Sequence, residues 1–302
     1  MRMNRLGKSD IYISELTLGC MSLDLDQSNS SKIINLALDN GINHLDTADL
    51  YQFGDNEKMI GKIIKERRED IILTTKVGNH FNTDTKTWYW DPSKKYINQA
   101  VDKSLQRLQT DYLDLYLLHG GTIDDPMDET IDAFEQLKKS GKIRAYGISS
   151  IRPSVIREYV KKSSIDAVMM QYNILDRRPE ELLNFLATNK VSVLARGPLA
   201  KGMLSGQAVK YIAQKGKDGY LDYTHNELLQ IINKLSKLHL PIAKLSFQYV
   251  LHHPVVASAV FGASTVKQLK ENIYSTHLLP LDEELVKEIK KITKPIFYTT
   301  HR

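Results

Sequence analysis

The chain has almost no cysteine. Among 302 residues only Cys20 occurs, so neither an intrachain disulfide nor a cysteine-rich metal motif can form. A reducing compartment, the cytoplasm, is the expected location. Long apolar runs are also missing. No stretch approaches the roughly 20 residues that cross a bilayer, and Met1-Arg-Met-Asn-Arg-Leu-Gly7 lacks the apolar core of a signal peptide. Neither secretion nor membrane insertion is expected. Blocks of one charge are absent too: 41 Lys and Arg are interleaved with 36 Asp and Glu, for a net charge of +5. That argues against a nucleic-acid stripe and suits a phosphate-bearing cofactor. No G-x-G-x-x-G or G-x-x-x-x-G-K motif is present, which counts against an open dinucleotide-binding sheet. His252-His253 reads as a helix end before Pro254 rather than as a ligand pair, so no metal is expected. No low-complexity tract or linker divides the sequence, and residues 1–302 are read as a single domain.

What is present is a regular alternation. With 42% hydrophobic and 25% charged residues, the composition is that of a globular protein. Arg5–Ile13 reads as a short hairpin around a Leu-Gly-Lys-Ser-Asp turn. Strands are predicted at Glu15–Cys20, Ile42–Ala48, Ile71–Lys76, Leu113–His119, Ile143–Ser149, Ala167–Asn173, Val191–Gly197 and Ser258–Ala263. Helices are predicted at Ser30–Asn40, Asn56–Arg68, Ser93–Leu108, Asp128–Ser140, Pro153–Lys162, Pro179–Asn189, Asn226–Leu238, Ile242–His252, Val266–Tyr274 and Glu283–Ile292, before a tail from Phe297 to Arg302. Strands separated by helices pair in parallel. Eight strand–helix units predict an α/β fold, a (β/α)8 TIM barrel with an N-terminal β-hairpin and an extra C-terminal helix. Gly202–Thr224 is the least patterned segment and is expected as a flexible loop over the barrel mouth.

Asp46 lies at the carboxyl end of the second predicted strand and Tyr51 just beyond it, Lys76 ends the third and His119 ends the fourth. In a barrel these carboxyl ends are neighbours on the catalytic face. A phenol titrates near pH 10 and donates poorly at neutral pH. An ammonium beside it favours the phenolate, and an acid can hold the ammonium by an ion pair. A histidine can bond a substrate oxygen. Together the four can polarise a carbonyl and protonate it as hydride arrives. Taken singly, Asp46 reads equally well as a helix cap, Tyr51 as a rim aromatic and His119 as a structural histidine. Lys76, closing a strand of β-branched residues, must be paired. Cys20 reads as a small packed residue. Trp88 and Trp90, in the loop after Lys76, read as a hydrophobic plug on the rim or as a wall of a substrate pocket.

Arg5-Leu-Gly-Lys-Ser9, Leu18-Gly-Cys-Met21, Leu45-Asp-Thr-Ala-Asp-Leu-Tyr51 with Asn56-Glu57 and Gly61, Thr75-Lys76, Asp111-Tyr-Leu-Asp-Leu-Tyr-Leu-Leu-His119 and Gly141-Lys-Ile-Arg-Ala-Tyr-Gly-Ile-Ser149 follow one another in order. Over nearly its full length the chain resembles the aldo-keto reductases. The resemblance implies a tetrad of Asp46, Tyr51, Lys76 and His119, with Tyr51 the proton donor to a small-molecule carbonyl substrate. It implies a nicotinamide cofactor, NADP(H) by family habit with NAD(H) open, extended across the mouth. Gly19, Cys20, Met21 and Asp46 would line it. Ser149 and Gln171 would hold the carboxamide. Arg196, Gly197, Pro198, Leu199, Ala200, Lys201 and Gly202 would face the nicotinamide and pyrophosphate. Gly262, Ser264, Thr265, Gln268, Glu271 and Asn272 would take the adenosine end.

Three departures stand out. Arg196 occupies the place of a stacking tyrosine, and its planar guanidinium can stack instead. Ser150 replaces an asparagine. Ser264 and Gln268 stand where arginines often clamp the 2′-phosphate, leaving Lys267 or Lys270 as substitutes. The expected assembly is a monomer or weak homo-oligomer. Two other readings stay open: a barrel aldolase forming a Schiff base on Lys76, and a dinucleotide-binding redox sensor with little turnover.

Overall fold

The structure is a computed structural model and describes residues 1–275 and 280–300; the last two residues of the predicted tail, His301 and Arg302, lie outside them. In chain order the elements are β1 (Met3–Arg5), β2 (Tyr12–Ser14), β3 (Leu16–Gly19), α1 (Gln27–Asp39), β4 (His44–Asp46), α2 (Asp55–Ile64), β5 (Ile72–Val77), β6 (Asn79–Asn82), β7 (Thr87–Trp90), α3 (Lys94–Leu108), β8 (Leu113–Leu118) and α4 (Met127–Lys139). There follow β9 (Ile143–Ser149), α5 (Pro153–Lys162), β10 (Ala167–Gln171), α6 (Glu180–Thr188), β11 (Ser192–Arg196), α7 (Ala208–Lys215), α8 (His225–Leu235), α9 (Ile242–Leu251), β12 (Val256–Gly262), α10 (Val266–Tyr274) and α11 (Glu283–Ile292).

β3, β4, β5, β8, β9, β10, β11 and β12 close into a parallel barrel, β12 pairing back with β3. The predicted (β/α)8 barrel, its N-terminal hairpin and its final helix are all present. Helix starts follow local chemistry. Ser93 caps α3 through the Tyr96 amide, and Thr224 with Glu227 forms a reciprocal capping box on α8, a device worth about 1 kcal/mol.

Side chains alternate along each strand with a period of two. In β8, Leu115 and Leu117 join an inner cluster, while Tyr116 and Leu118 pack outward under the helices. The inner cluster also contains Leu6, Ile11 and Ile13 from the β1–β2 hairpin. That hairpin plugs the amino-terminal end of the barrel: the Gly7 amide donates to Ser192 Oγ and the Lys8 amide to Asp166 Oδ1. Halfway up, Thr17, His44, Thr74 and Ser258 form a buried polar chain with contacts of 2.6–2.7 Å. Burial, then the nearby Lys76, pushes the His44 pKa down to about 3, so its imidazole is neutral in this chain. The hairpin thus closes the amino-terminal end, and the carboxyl ends of the strands lie at the opposite end.

Two expectations are corrected here. The segment from Gly202 to Thr224 is not simply a loop. It contains α7, whose Ala208 and Ile212 are buried, and a Tyr220–Tyr223 bridge. The stretch after Lys76 is likewise not a loop but the antiparallel pair β6–β7. Its Trp88 is exposed, whereas Trp90 packs on the core.

Candidate active site

The next inward positions at the carboxyl-terminal end are those of Gly19, Asp46, Lys76, His119, Ser149, Gln171, Arg196 and Gly262. Three neighbouring pairs of this ring are in direct register: Gly262 with Gly19, Gly19 with Asp46, and Gln171 with Arg196. The structure therefore brings one candidate residue from every barrel strand to a common rim.

Lys76 is the centre of the ring. Its side chain is 1% exposed. The ammonium donates to Asp46 at 2.8 Å, to the Thr47 carbonyl at 2.6 Å and to the Tyr51 phenol oxygen at 3.4 Å. All three protons of the ammonium thus have an acceptor. Burial opposes its charge, but Asp46 and then Tyr51 outweigh burial and hold Lys76 above the ordinary lysine pKa. Burial pushes Asp46 upward against the pull of the same ammonium.

Tyr51 reaches the amine from a short helical turn, Tyr51–Gly54, in which Gln52 and Phe53 take left-handed conformations (φ 45° and 52°). The loop before it is tied down on both sides. The Asp49 amide donates to the Lys76 carbonyl, and Thr47 Oγ1 donates to Asn56, which in turn donates to the Cys20 carbonyl. Glu57, fully buried, accepts from Thr75 at 2.5 Å and pairs with Arg107 at 2.6 Å. These ties explain why Asn56 and Glu57 accompany the acid and the phenol in sequence.

His119 lies edge-on to Tyr51, with ring centroids 5.9 Å apart. Burial, helped by Lys76 and Arg196, lowers its pKa to about 3. The ring is neutral, and its Nδ1 is buried without a partner among the described residues. The phenol does not become acidic. The Lys76 ammonium pulls its pKa down, but burial is the larger effect and the net shift is upward. The expectation that the lysine alone would leave an acidified phenol is corrected on that point: in this pocket desolvation of a phenolate costs more than one ammonium returns.

The remaining candidates lie on the strand ends and turns beside this centre. Gln171 accepts from Arg196 Nη1 and donates to Asp176 and to the Tyr220 hydroxyl, each at 3.0 Å. Arg178 grips Asp176 with two bonds of 2.8 Å. Beyond Arg196, Gly197, Ala200, Lys201 and Gly202 all have positive φ, and Ser246 donates to the Pro198 carbonyl. Gly262 is exposed, and a Cβ there would meet Ser22 Oγ at 2.4 Å. Thr265 caps α10 through the Gln268 amide, while the Ser264 amide and hydroxyl both reach Gln268 Oε1. Asn272 is buried and Glu271 exposed on the same helix.

Of the proposed lining residues, Cys20 is among the buried ones, with Pro198, Ala200 and Asn272. Its side chain is fully buried in the core, where burial pushes the thiol pKa far up, so only its backbone can face the rim. Met21 beside it is exposed. Tyr220 and Asp176 were not anticipated. Tyr220 sits between Gly219 and Leu221 in a stretch with no hydrophobic period, and nothing in sequence links it to Gln171. Asp49, between the two anticipated catalytic residues, is buried with an unpartnered Oδ1, and burial, then Glu57, holds its carboxyl well above the usual range.

Residues 15–294 match the model of the aldo/keto reductase family. Over 305 aligned residues, covering all of both chains, the chain is 50% identical to the uncharacterized oxidoreductase YqkF of Bacillus subtilis. It is 30% identical to the NADH-specific methylglyoxal reductase of Escherichia coli, covering 94% of this chain and 97% of that protein. Among solved structures it resembles the holo form of the aldo-keto reductase AKR11C1 from Bacillus halodurans, with a TM-score of 0.96 and 51% identity over 100% of this chain and 99% of the other.

Proposed function

This chain belongs to the aldo/keto reductase family of oxidoreductases, and from that premise we propose that it reduces small aldehydes or ketones to alcohols with a nicotinamide dinucleotide. One observation carries the reading: a buried ammonium ion-paired to Asp46 stands within reach of the Tyr51 oxygen. A bound reduced nicotinamide would supply a hydride to the carbonyl carbon. The side chains manage the oxygen. Tyr51 gives its proton to the oxygen as negative charge grows there. Lys76 stabilises the phenolate left behind, and Asp46 fixes Lys76. His119, neutral, offers one N–H to orient the carbonyl.

The strand ends and turns beside the tetrad suit the cofactor. Residues 197–202 form a tight turn with several positive φ angles, and α10 begins beside Ser264 and Thr265, a helix start of the kind that receives phosphates. Ser149 and Gln171 would hold the carboxamide, Arg196 would stack on the nicotinamide, residues 197–202 would follow the pyrophosphate, and Gly262 to Asn272 would take the adenosine end. Gln171 must exchange its bond to Arg196 as the carboxamide arrives. NADP(H) is the proposed principal cofactor, with NAD(H) accepted as well, because Ser264 and Gln268 are uncharged and already bonded to each other. An aldolase reading is disfavoured: a Schiff base needs a free lone pair on the amine, and Lys76 is held protonated with all three N–H groups occupied.

A panel of small carbonyls, assayed by loss of reduced-cofactor absorbance with NADPH and NADH in turn, tests the proposal. Oxidation of cofactor is expected with at least one nucleotide. The affinity ratio of NADPH to NADH should stay below roughly a hundredfold, about 2.7 kcal/mol. Tight cofactor binding with no turnover on any carbonyl would favour the redox-sensing reading instead.

A further inference from the structure

Lys76 is the penultimate residue of β5 and His119 follows the last residue of the neighbouring β8, and the main chain leaves both ends through glycine. Val77 pairs with Leu118, and the His119 amide donates to the Val77 carbonyl at 2.7 Å. Above that bond the ladder stops. Gly78 follows Val77 with φ 121°, and Gly120 and Gly121 follow His119 with φ 152° and 120°. Residues with that freedom do not set the direction of the chain by themselves.

Trp90, at the end of β7, fills the gap. A Cβ on Gly78 would lie 2.6 Å from the indole ring, and one on Gly120 would lie 3.2 Å from the same ring. The ring therefore covers both glycines at once. The Asp91 amide ties the end of β7 to the Gly78 carbonyl at 2.8 Å. On the other side the indole N–H donates to Asp125 Oδ1 at 2.9 Å. Asp125 in turn accepts from the Thr122 amide and hydroxyl, each at 2.7 Å, which closes the loop that begins at His119.

We propose that Trp90 is a positioning residue: its indole clamps the end of β5 to the loop after β8 and so sets the placement of His119 against Tyr51 and Lys76. Its one side-chain hydrogen bond among the described residues goes to Asp125 and not to the three reacting side chains, and it acts through Gly78, Gly120 and Asp125. The inference rests on the carbonyl-reductase reading only for its kinetic consequence; the structural consequence stands without it. The two faces of the device are separable. The ring's area holds the glycines, and the indole N–H holds the 120–126 loop.

The experiment compares Trp90→Ala and Trp90→Phe in the full chain by nitrogen NMR of the His119 ring, turnover, cofactor affinity and melting temperature. With Trp90→Ala, the His119 resonances should shift or broaden and kcat should fall about tenfold or more, since misplacements near 1 Å are costly. Cofactor affinity should remain within about twofold. Trp90→Phe should keep most of kcat, because a ring still covers the glycines, while KM for the carbonyl rises as the loop is released. Wild-type His119 resonances in Trp90→Ala would overturn the proposal. So would a parallel loss of kcat, cofactor affinity and melting temperature in both variants, which marks general destabilisation. Should Trp90→Ala not fold, the split between kcat and KM in Trp90→Phe decides. Because the NMR reading needs no substrate, a wrong assignment of the reaction would leave it intact and would appear instead as an absence of turnover in the unaltered protein.

Discussion

Two opposed effects meet on one oxygen at Tyr51. An ammonium 3.4 Å away favours the phenolate, and burial disfavours it more. The phenol therefore stays protonated through neutral pH, and in the proposed reaction it would release its proton only as charge develops on a substrate oxygen. Lys76 is held charged, and His119 is held neutral with a pKa near 3. None of the three changes protonation between about pH 5 and 9, given ordinary values near 6.5 for histidine and 10 for tyrosine. The pH profile of kcat/KM for carbonyl reduction should be flat across that window and fall on the alkaline side, as Tyr51 loses its proton. A break near pH 6.5 that disappears in His119→Gln would show a titrating histidine and contradict the assignment. The positions of Asp46, Lys76 and His119 were legible in sequence because predicted strand ends place them, and Tyr51 because it follows Asp46 on the next turn. The net direction of the Tyr51 shift was not, because it depends on how much water the finished barrel excludes.

The barrel's strand–helix units were legible one by one. Each apolar run is bounded by a cap or a breaker, as at Ser93, Gly141, Pro153 and Thr265, and three helices were placed to the residue: α5, α10 and α11. The elements that escaped notice are short. β6 and β7 have four residues each and their turn has no Asn-Gly or Asp-Gly signal. α7 buries only Ala208 and Ile212 of its eight residues, too few to show a period. These two pieces matter most at the mouth. α7 backs the 197–202 turn through Tyr211: Gly202 has φ 94°, and a Cβ there would lie 2.7 Å from the Tyr211 ring. Gly202→Ala should therefore reshape the turn after Arg196 and weaken cofactor binding by about tenfold, or 1.4 kcal/mol. Turnover at saturating cofactor should change little. Equal fluorescence titrations of the two proteins would show that the turn does not touch the cofactor.

The molecule as a whole assigns its two ends different work. At the amino-terminal end of the barrel, Leu6, Ile11 and Ile13 close the interior, a role for stability. At the carboxyl-terminal end, the inward positions of eight strands supply a ring of polar and glycine residues instead of another apolar layer. No described helix is long and apolar enough to cross a membrane. The same topology explains why residues as distant in sequence as Gly19 and Gly262 are paired neighbours, and why the proposed catalytic residues come from the first half of the chain while most of the proposed cofactor-lining residues come from the second. The proton donor is the point where the two halves must cooperate. Substituting Tyr51→Phe removes that single proton and leaves the proposed cofactor-lining residues untouched. Cofactor affinity, read by quenching of protein fluorescence, should stay within about twofold of the original. Reduction of a carbonyl substrate in a single turnover should slow by about 10²- to 10⁴-fold, the usual contribution of a general acid. A variant that binds cofactor normally and reduces the carbonyl at close to the original rate would mean that the proton comes from elsewhere.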